Sequence, residues 1–319
     1  MSEKKAQRTY YGKALADLAS REEIVVLDAD LAGSTKTSDF QKAAPGRFFQ
    51  IGIAEQNMVG VASGLAASGK TVFASTFAVF ASGRAWEQIR LAVAYPKMNV
   101  KIVATHCGIS VGEDGASHQA LEDIAIMRAL PNMVVISPAD AHEAYAATKA
   151  IADYKGPCYM RMGRSDFPTI LPEDVDFVIG RATVLREGKD VTLFGTGQML
   201  TDCIEAAEIL SAEKIEAEVI NVSTIKPLDV ATILRSVKKT GCAVTAEEHS
   251  IIGGLGSAVT ECVCENDPVP VIRVGTKDTF GESGNPADLM TKYGLTTDDV
   301  VKAAREAVSK KPKKKRWSK

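Results

Sequence analysis

The sequence predicts an α/β protein with two doubly wound domains, each built on a mainly parallel sheet. Short apolar runs alternate regularly with helix-like segments, as they do when strands and helices alternate along such a sheet. One stretch, SDFPTILPEDVDFVIG, interrupts that alternation with two prolines and four acids. The length of 319 residues is enough for two ordinary domains. We therefore expect a first domain over 1–165, a linker over 166–180, a second domain over 181–309 and a disordered basic tail over 310–319.

The composition is that of a globular protein, with 45% hydrophobic and 24% charged residues. The net charge of −2 gives the body no nucleic-acid signature. No apolar run reaches the roughly 18 residues of a membrane span, and the polar N-terminus lacks a signal core. The six cysteines are scattered without zinc-type spacing, which fits free thiols in a reducing cytosol. We expect a cytoplasmic protein; a surface or nucleic-acid contact by the tail KKPKKKRWSK stays open.

The elements of the first half follow from the spacing of apolar residues and from turn signals. The run Ile24–Leu27 is continuously apolar, which is typical of a buried parallel strand, and acids follow it in the loop. The predicted order is a helix over 8–20, a strand in EEIVVLDADL, an extended segment over 48–53 leading into a helix at Glu55, a strand in TVFASTFAVFASG entering a helix in AWEQIRLAVAY, a strand in KIVAT, a helix over 117–130, a strand in MVVISPAD, a helix in AHEAYAATKAIADY and a closing segment CYMRMGR.

The second half repeats the same rhythm. Two glycine clusters, Gly195–Gly197 and Gly253–Gly256, are incomplete as phosphate-binding fingerprints and indicate tight strand-to-helix turns instead. The predicted order is a strand in VTLFGTG, a helix in MLTDCIEAAEILSAE, strands in AEVINVST and GCAVTAEEH, a helix after GGLGSAV, a strand in VIRVG and a terminal helix in TTDDVVKAAREAVSK.

The stretch around Glu55 is the most informative part of the chain. Its neighbours Ile51 and Ile53 are apolar, and no basic residue lies within five positions. A carboxylate in such a setting is costly to bury unless something hydrogen-bonds it; the alternative is a favourable charge at a helix N-terminus. Gly60 and Gly64 share one helical face and would let another backbone approach, so we expect a buried helix and a homodimer core.

Two of the four histidines flank one glycine-rich loop, ATHCGISVGEDGASHQ, called the histidine loop below (residues 106–119). His106 ends a strand, His118 is expected to start a helix, and Asp114 lies between them. Imidazole and carboxylate groups suit hydrogen bonding and proton transfer near neutral pH. Metal binding and a merely capped loop are the alternatives. Phe77 and Phe80, three residues apart, fit either core packing or a wall against a flat ring.

The motifs GIAEQNM, TFAVF, ATHCGISVGEDGASHQ and RMGRSDFP occur in this order, followed by AEEHSIIGGLGSAV and GTKDTFGESG. This series resembles the C-terminal half of transketolase, a thiamine-diphosphate enzyme: its pyrimidine-binding domain and its C-terminal domain. The chain has no GDG followed about thirty residues later by Asn, the diphosphate and Mg²⁺ motif of that family. The resemblance therefore implies the C-terminal subunit of a split transketolase, with thiamine diphosphate and Mg²⁺ held largely by an N-terminal partner subunit.

The resemblance also implies a role for each matching residue. Glu55 matches the glutamate that hydrogen-bonds N1′ of the aminopyrimidine, and Asp30 matches an acid near the cofactor. The implied catalytic groups are Glu55, His106, His118 and Asp114; the cofactor-binding groups are Glu55, Phe77, Phe80 and Asp30; the sugar-phosphate-binding groups are Arg8, Ser34 and Arg164; none is implied to bind metal.

The activity implied is transfer of a two-carbon ketol unit from a ketose phosphate to an aldose phosphate through a thiamine-bound enamine. It would occur in a heterotetramer within the pentose phosphate pathway. Two departures from the family pattern are Gly83, where many members carry a tyrosine, and Gln56, where many carry a histidine. The alternatives are a 1-deoxyxylulose 5-phosphate synthase-like protein, the beta subunit of a 2-oxo acid dehydrogenase, and a non-catalytic scaffold or regulatory subunit.

Overall fold

A computed structural model describes residues 3–311 of the chain. It confirms the predicted α/β class: a seven-stranded and a five-stranded sheet, both mainly parallel, are flanked by helices. The tail predicted over 310–319 lies outside the described residues from position 312 onward. Within residues 3–311, no helix is both long enough and apolar enough to cross a membrane.

The strands are short, as is usual for α/β proteins. In chain order they are β1 Lys4–Ala6, β2 Ile24–Asp28, β3 Phe48–Gln50, β4 Thr71–Phe77, β5 Val100–Thr105, β6 Val134–Ile136, β7 Cys158–Arg161, β8 Asp166–Pro168, β9 Thr183–Arg186, β10 Val191–Gly195, β11 Ala217–Asn221, β12 Thr224–Lys226, β13 Ala243–Ser250 and β14 Val271–Thr276.

The helices alternate with these strands. In chain order they are α1 Gln7–Asp17, α2 Ala32–Thr35, α3 Ser38–Ala43, α4 Glu55–Ala67, α5 Trp86–Gln88, α6 Asp123–Arg128, α7 Ala141–Asp153, α8 Met199–Ala212, α9 Val230–Thr240, α10 Leu255–Asn266, α11 Pro286–Lys292 and α12 Thr297–Ser309, with π-helical segments at Phe80–Arg84 and Ile89–Ala94 and a distorted 3₁₀ segment at Ile109–Asp114.

The seven-stranded sheet has the order β12-β6-β7-β5-β4-β2-β3, and every pairing except that of β12 with β6 is parallel. Strands β2, β4 and β5 are buried along their whole length, as is usual for the strands of a parallel sheet covered on both faces. Because these strands run parallel, their carboxyl ends meet at one edge of the sheet. Phe77 ends β4 and His106 follows β5 at that edge.

The five-stranded sheet has the order β14-β13-β10-β11-β9 and is parallel except for the pairing of β9 with β11. The two halves of the chain are joined by more than a linker. Strand β12 belongs to the second half by sequence, yet it pairs with β6 at the edge of the first sheet. The sequence did not predict that β12 joins the first sheet.

The segment predicted as a linker begins with regular structure. Strand β8 pairs antiparallel with β1 in a separate two-stranded sheet, with Ala6 opposite Asp166 and Lys4 opposite Pro168. The backbone hydrogen bonds of the N-terminal residues are thereby satisfied by the start of the linker. Neither of these strands was predicted, because three residues are too few for a visible alternation.

The helix predicted over 117–130 is wrong in its first half, since α6 covers only Asp123–Arg128. Residues 117–120 instead turn back along the histidine loop, where the Ala120 carbonyl accepts the Gly108 N–H at 3.0 Å. The buried Gln119 side chain donates to the Ile109 carbonyl at 3.1 Å. These contacts give the backbone partners outside a helix, so His118 lies in a turn and does not start a helix. Helices α2, α3, α9 and α11 were not predicted.

The predicted helix at Glu55 is confirmed as α4. The expectation that it is buried holds for the carboxylate but not for the glycine face. Gly60 and Gly64 are exposed in the single chain, and no atom lies within 4 Å of a methyl group placed on either one. The small-residue face of α4 is therefore open to solvent among the described residues, with the exposed Ile53 and Val61 beside it.

Candidate active site

The Glu55 carboxylate lies at the first position of α4 and is only 1% exposed. The Arg84 guanidinium donates to Glu55 Oε2 at 2.8 Å, and its charge also lies 4.7 Å from the centre of the Phe80 ring. Sequence reasoning missed Arg84 because it lies 29 positions from Glu55 and no motif marks it. No hydrogen bond from any residue in 3–311 reaches Glu55 Oε1, so one carboxylate oxygen stays free for a ligand.

The two predicted phenylalanines lie beside both histidines of the histidine loop. The Phe77 ring stacks on the His106 imidazole, with centroids 3.8 Å apart, and lies 6.1 Å from the Phe80 ring. The His118 ring meets Phe80 edge-on at 5.3 Å. Edge-on and offset stacked contacts are the favourable geometries for such rings. The structure thus combines the core-packing and ring-wall interpretations: Phe77 is 8% exposed, whereas Phe80 is only half-buried.

The backbone of His106 adopts a left-handed conformation, with φ of 59°, directly after β5. Such a conformation is unusual for a residue other than glycine, and it is often found at functional sites. His106 Nδ1 is 2.8 Å from the Thr105 hydroxyl. Burial, together with the nearby Arg8 and Arg164 guanidiniums, lowers the pKa of His106 to about 3. The imidazole is therefore neutral at pH 7 and offers one donor and one acceptor nitrogen.

The two arginines predicted to bind phosphate lie close together beside His106. Arg8 Nη1 donates to the backbone carbonyl of Ser34 at 3.0 Å, and burial followed by the charge of Arg164 lowers the pKa of Arg8. Arg8 Nε is buried and has no hydrogen-bond partner among residues 3–311. Arg164 Nη1 donates to the Val111 carbonyl at 2.7 Å. Two neighbouring cations with an unused donor form a suitable receptor for an anion.

Two predicted site residues are not drawn into this cluster. Asp114 is exposed at the end of the 3₁₀ segment within the histidine loop, and its carboxylate makes no hydrogen bond within the described part of the chain. Asp30 is also exposed, and only its backbone N–H is held, by the Gln50 side chain at 2.6 Å. At Gly83 an added methyl group would meet no atom within 4 Å, so the position of the family tyrosine is open space.

Family comparisons agree with this architecture. Residues 3–169 match the model described as the transketolase pyrimidine-binding domain, and residues 180–300 match the transketolase C-terminal domain. The fold and the site thus define a two-domain α/β protein whose first domain is of the pyrimidine-binding type. The chain belongs to the transketolase family and corresponds to its C-terminal section.

Several similar proteins cover the same length. A protein of Methanocaldococcus jannaschii named "Putative transketolase C-terminal section" is 51% identical over 310 residues, covering 96% of this chain and 97% of that one. A "6-deoxy-6-sulfo-D-fructose transketolase subunit" of Clostridium sp. (strain MSTE9) is 45% identical over 305 residues, covering 95% of both. A solved structure named "Split gene transketolase, inactive beta4 tetramer" is 55% identical, with a TM-score of 0.91 over 96% of this chain and 99% of that one.

The transketolase family uses thiamine diphosphate and a divalent metal, and the residues of this chain fit one end of that cofactor. A buried carboxylate with an unfilled oxygen suits a ring nitrogen, and the half-buried Phe80 beside it suits a flat heteroaromatic ring. The unfilled Nε of Arg8 suits an anionic group rather than the ring.

Proposed function

We propose that this chain is the C-terminal subunit of a split transketolase. With an N-terminal subunit, it would transfer a two-carbon ketol unit from a ketose phosphate to an aldose phosphate. The observation that carries the proposal is one cluster that joins three kinds of group. It contains the buried carboxylate of Glu55, the rings of Phe77 and Phe80 with both histidines, and an arginine pair for phosphate.

At the cofactor end, Glu55 would hold a proton shared with N1′ of the aminopyrimidine through its free Oε1. Arg84 would keep the carboxylate in place through Oε2. Phe77 and Phe80 would exclude water from the ring. Bound thiamine diphosphate supplies the electron sink that cleavage of a bond next to a carbonyl requires. Asp30 is proposed as a further acid near the cofactor.

At the substrate end, Arg8 and Arg164 with Ser34 would hold the sugar phosphate, because a phosphate dianion relieves the repulsion between the two guanidiniums. The neutral His106 would hydrogen-bond a sugar hydroxyl without adding a third positive charge. His118 and Asp114 are proposed to bind hydroxyl groups and to assist proton transfer. The particular sugars stay open, since the relatives' names include different substrates.

The proposal places the diphosphate and Mg²⁺ on the N-terminal subunit, because the sequence of this chain lacks the corresponding motif. The open glycine face of α4 supports a second copy of the chain as a further partner, giving a heterotetramer.

A second candidate function is a non-catalytic role for the chain by itself. The name of the related solved structure calls that tetramer inactive, which favours a requirement for the partner subunit. A synthase-like protein or a dehydrogenase beta subunit would need other donors, so a 2-oxo acid tested as donor separates them from a transketolase.

The test is a coupled ketol-transfer assay with xylulose 5-phosphate and ribose 5-phosphate, thiamine diphosphate and Mg²⁺. This chain, the N-terminal subunit and their mixture are assayed separately at equal concentrations. Activity in the mixture alone supports the proposal. Activity of this chain by itself would refute the assigned role of the partner, and an inactive mixture would refute ketol transfer between these two sugar phosphates.

A further inference from the structure

The histidine loop is covered by residues of the C-terminal half of the chain. Strand β13 lies under its first part, and the segment 281–286 lies over its second part. The loop carries Asp114, and its backbone contacts Arg164, so whatever fixes the loop also bears on the proposed phosphate site.

The first of these contacts is made by Glu248 in β13, which is 4% exposed. Its Oε1 accepts the backbone N–H of Ser110 at 2.6 Å, and its Oε2 accepts a hydrogen bond from the Gln198 side chain. Gly108 has a φ of +80°, and a methyl group there would lie 2.3 Å from the Glu248 carboxylate. The loop therefore closes directly on this carboxylate, and glycine is what allows it to do so.

The second contact is made through Gln119. Its amide donates to the Ile109 carbonyl at 3.1 Å and to the Glu282 carbonyl at 3.0 Å, so it bridges the loop and the C-terminal half. Gly115, with φ of +73°, packs so closely on Ser283 that a methyl group would lie 2.4 Å from its hydroxyl. The histidine loop therefore packs directly against residues of the C-terminal half at both Gly108 and Gly115.

The histidine loop also contacts the Arg164 side chain directly. Val111 directly follows Ser110, and its carbonyl accepts the Arg164 Nη1–H at 2.7 Å. Ser110 itself is 2% exposed, so its N–H has no access to water as a substitute partner. A continuous series of contacts therefore runs from the Glu248 carboxylate through the Ser110 N–H and the Val111 carbonyl to the guanidinium.

We propose that Glu248 is a positioning residue for the phosphate-binding arginine: it fixes Ser110, and through the Val111 carbonyl it sets the direction of Arg164. The inference rests on the proposed function, since it assigns the substrate phosphate to Arg164. Glu248 touches no substrate in this account. Its removal leaves the Ser110 N–H buried without an acceptor, and the loop relaxes. Arg164 then loses the Val111 carbonyl, one of its two anchors; the other is the Glu113 carboxylate, which accepts from Arg164 Nη1 at 3.0 Å.

Glu143 is a matched control for Glu248. It is also 4% exposed, it accepts a backbone N–H, that of Ala139, at 2.6 Å, and it joins the two halves through Asn221 and Ser223. Burial raises the pKa of both carboxyls to about 7. Glu143 makes no hydrogen bond to the histidine loop among the residues described. A general loss of stability should therefore affect both variants alike.

The kinetic experiment uses the two-subunit enzyme with Glu248→Ala, Glu248→Gln or Glu143→Ala in this chain. The donors are xylulose 5-phosphate and unphosphorylated xylulose, with glycolaldehyde as acceptor. For Glu248→Ala we expect the KM of the phosphorylated donor to rise about tenfold, the lower end for one hydrogen bond to a charged group. The KM of xylulose and the values for Glu143→Ala should stay near wild type. Equal effects on both donors would show a merely structural role and overturn the proposal.

Hydrogen exchange on this chain alone supplies a readout that needs no activity. The Ser110 amide of Glu248→Ala should exchange at least about tenfold faster than wild type, since the acceptor that holds it is lost. Glu143→Ala should leave that amide unchanged. If Glu248→Ala does not fold, Glu248→Met, which fills a similar volume but offers the Ser110 N–H no oxygen acceptor, is measured instead. Unchanged protection of Ser110 would overturn the proposal. An inactive wild-type mixture would refute ketol transfer from these donors, while the exchange result would still show whether Glu248 holds the Ser110 amide.

Discussion

The ion pair between Arg84 and Glu55 offers a sharp test of how this site is held. The Glu55 side chain is 1% exposed and the Arg84 side chain is 48% exposed. If the arginine is removed, water can therefore hydrate the buried carboxylate only in part. Changing Arg84 to Met removes the charge and keeps most of the length. The buried carboxylate then loses a hydrogen bond from a charged group, which is worth about 1.5–3 kcal/mol. A fully buried pair would cost about 3–5 kcal/mol, so the half-exposed arginine places the expected loss near 2 kcal/mol.

Thermal and denaturant unfolding of the chain, at one fixed protein concentration, measures this loss. With about 2–4 °C per kcal/mol for domains of this size, the Tm of Arg84→Met should fall by roughly 4–8 °C. Arg90→Met is the control, because Arg90 is exposed and forms no ion pair within residues 3–311. Its Tm should change little.

The double variant Arg84→Met with Glu55→Gln completes the cycle. Once the carboxylate is neutral, no buried charge is left unpaired, so the double variant should be more stable than Arg84→Met alone. A Tm of Arg84→Met equal to wild type, or strictly additive losses in the double variant, would refute the view that Arg84 compensates the buried charge.

Three further changes test other parts of the structure. Glu143 has its pKa raised from 4.5 to about 7 by burial, so its contribution to stability is present below pH 4.5 and is lost as the pH rises to about 7. Glu143→Gln should therefore flatten the fall in unfolding free energy between these two pH values, which denaturant titrations at several pH values would show. Gly83→Ala should raise the unfolding free energy by about 0.5–1 kcal/mol, because the position is open and helical; a lower value would contradict this. Gly281→Ala would place a methyl group 1.8 Å from Gln119 Oε1, so we expect a loss of about 1–3 kcal/mol and faster amide exchange in residues 106–119.

The sequence predicted the sheet-forming core of the first half well, because its strands are mainly apolar runs with clear turn signals. Strands β2, β4 and β5 and helices α4 and α7 lie where the spacing placed them. The three-residue strands β1, β8 and β12 were missed, and with them the pairing of β12 with the first sheet, because so short a segment carries no periodicity.

The candidate site was predictable only as far as local motifs reach. The apolar neighbours of Glu55 singled it out, and the loop composition singled out His106 and His118. The sequence did not predict Arg84 as the ion-pair partner of Glu55, because the two residues are distant in sequence and only the folded chain brings them together. The turn at His118 was also missed, because the buried Gln119 finds its hydrogen bonds in residues that are distant in sequence, including Glu282.

The most direct test of the central claim is the activity of a correctly assembled complex that lacks the Glu55 carboxylate. Glu55→Ala is mixed with the N-terminal subunit, assembly is verified by size-exclusion chromatography, and ketol transfer is assayed with thiamine diphosphate and Mg²⁺. Removing an essential proton-holding group should lower kcat by at least about 10²-fold while the complex still forms. Wild-type activity in the assembled Glu55→Ala complex would contradict the proposed role of this carboxylate and the function built on it.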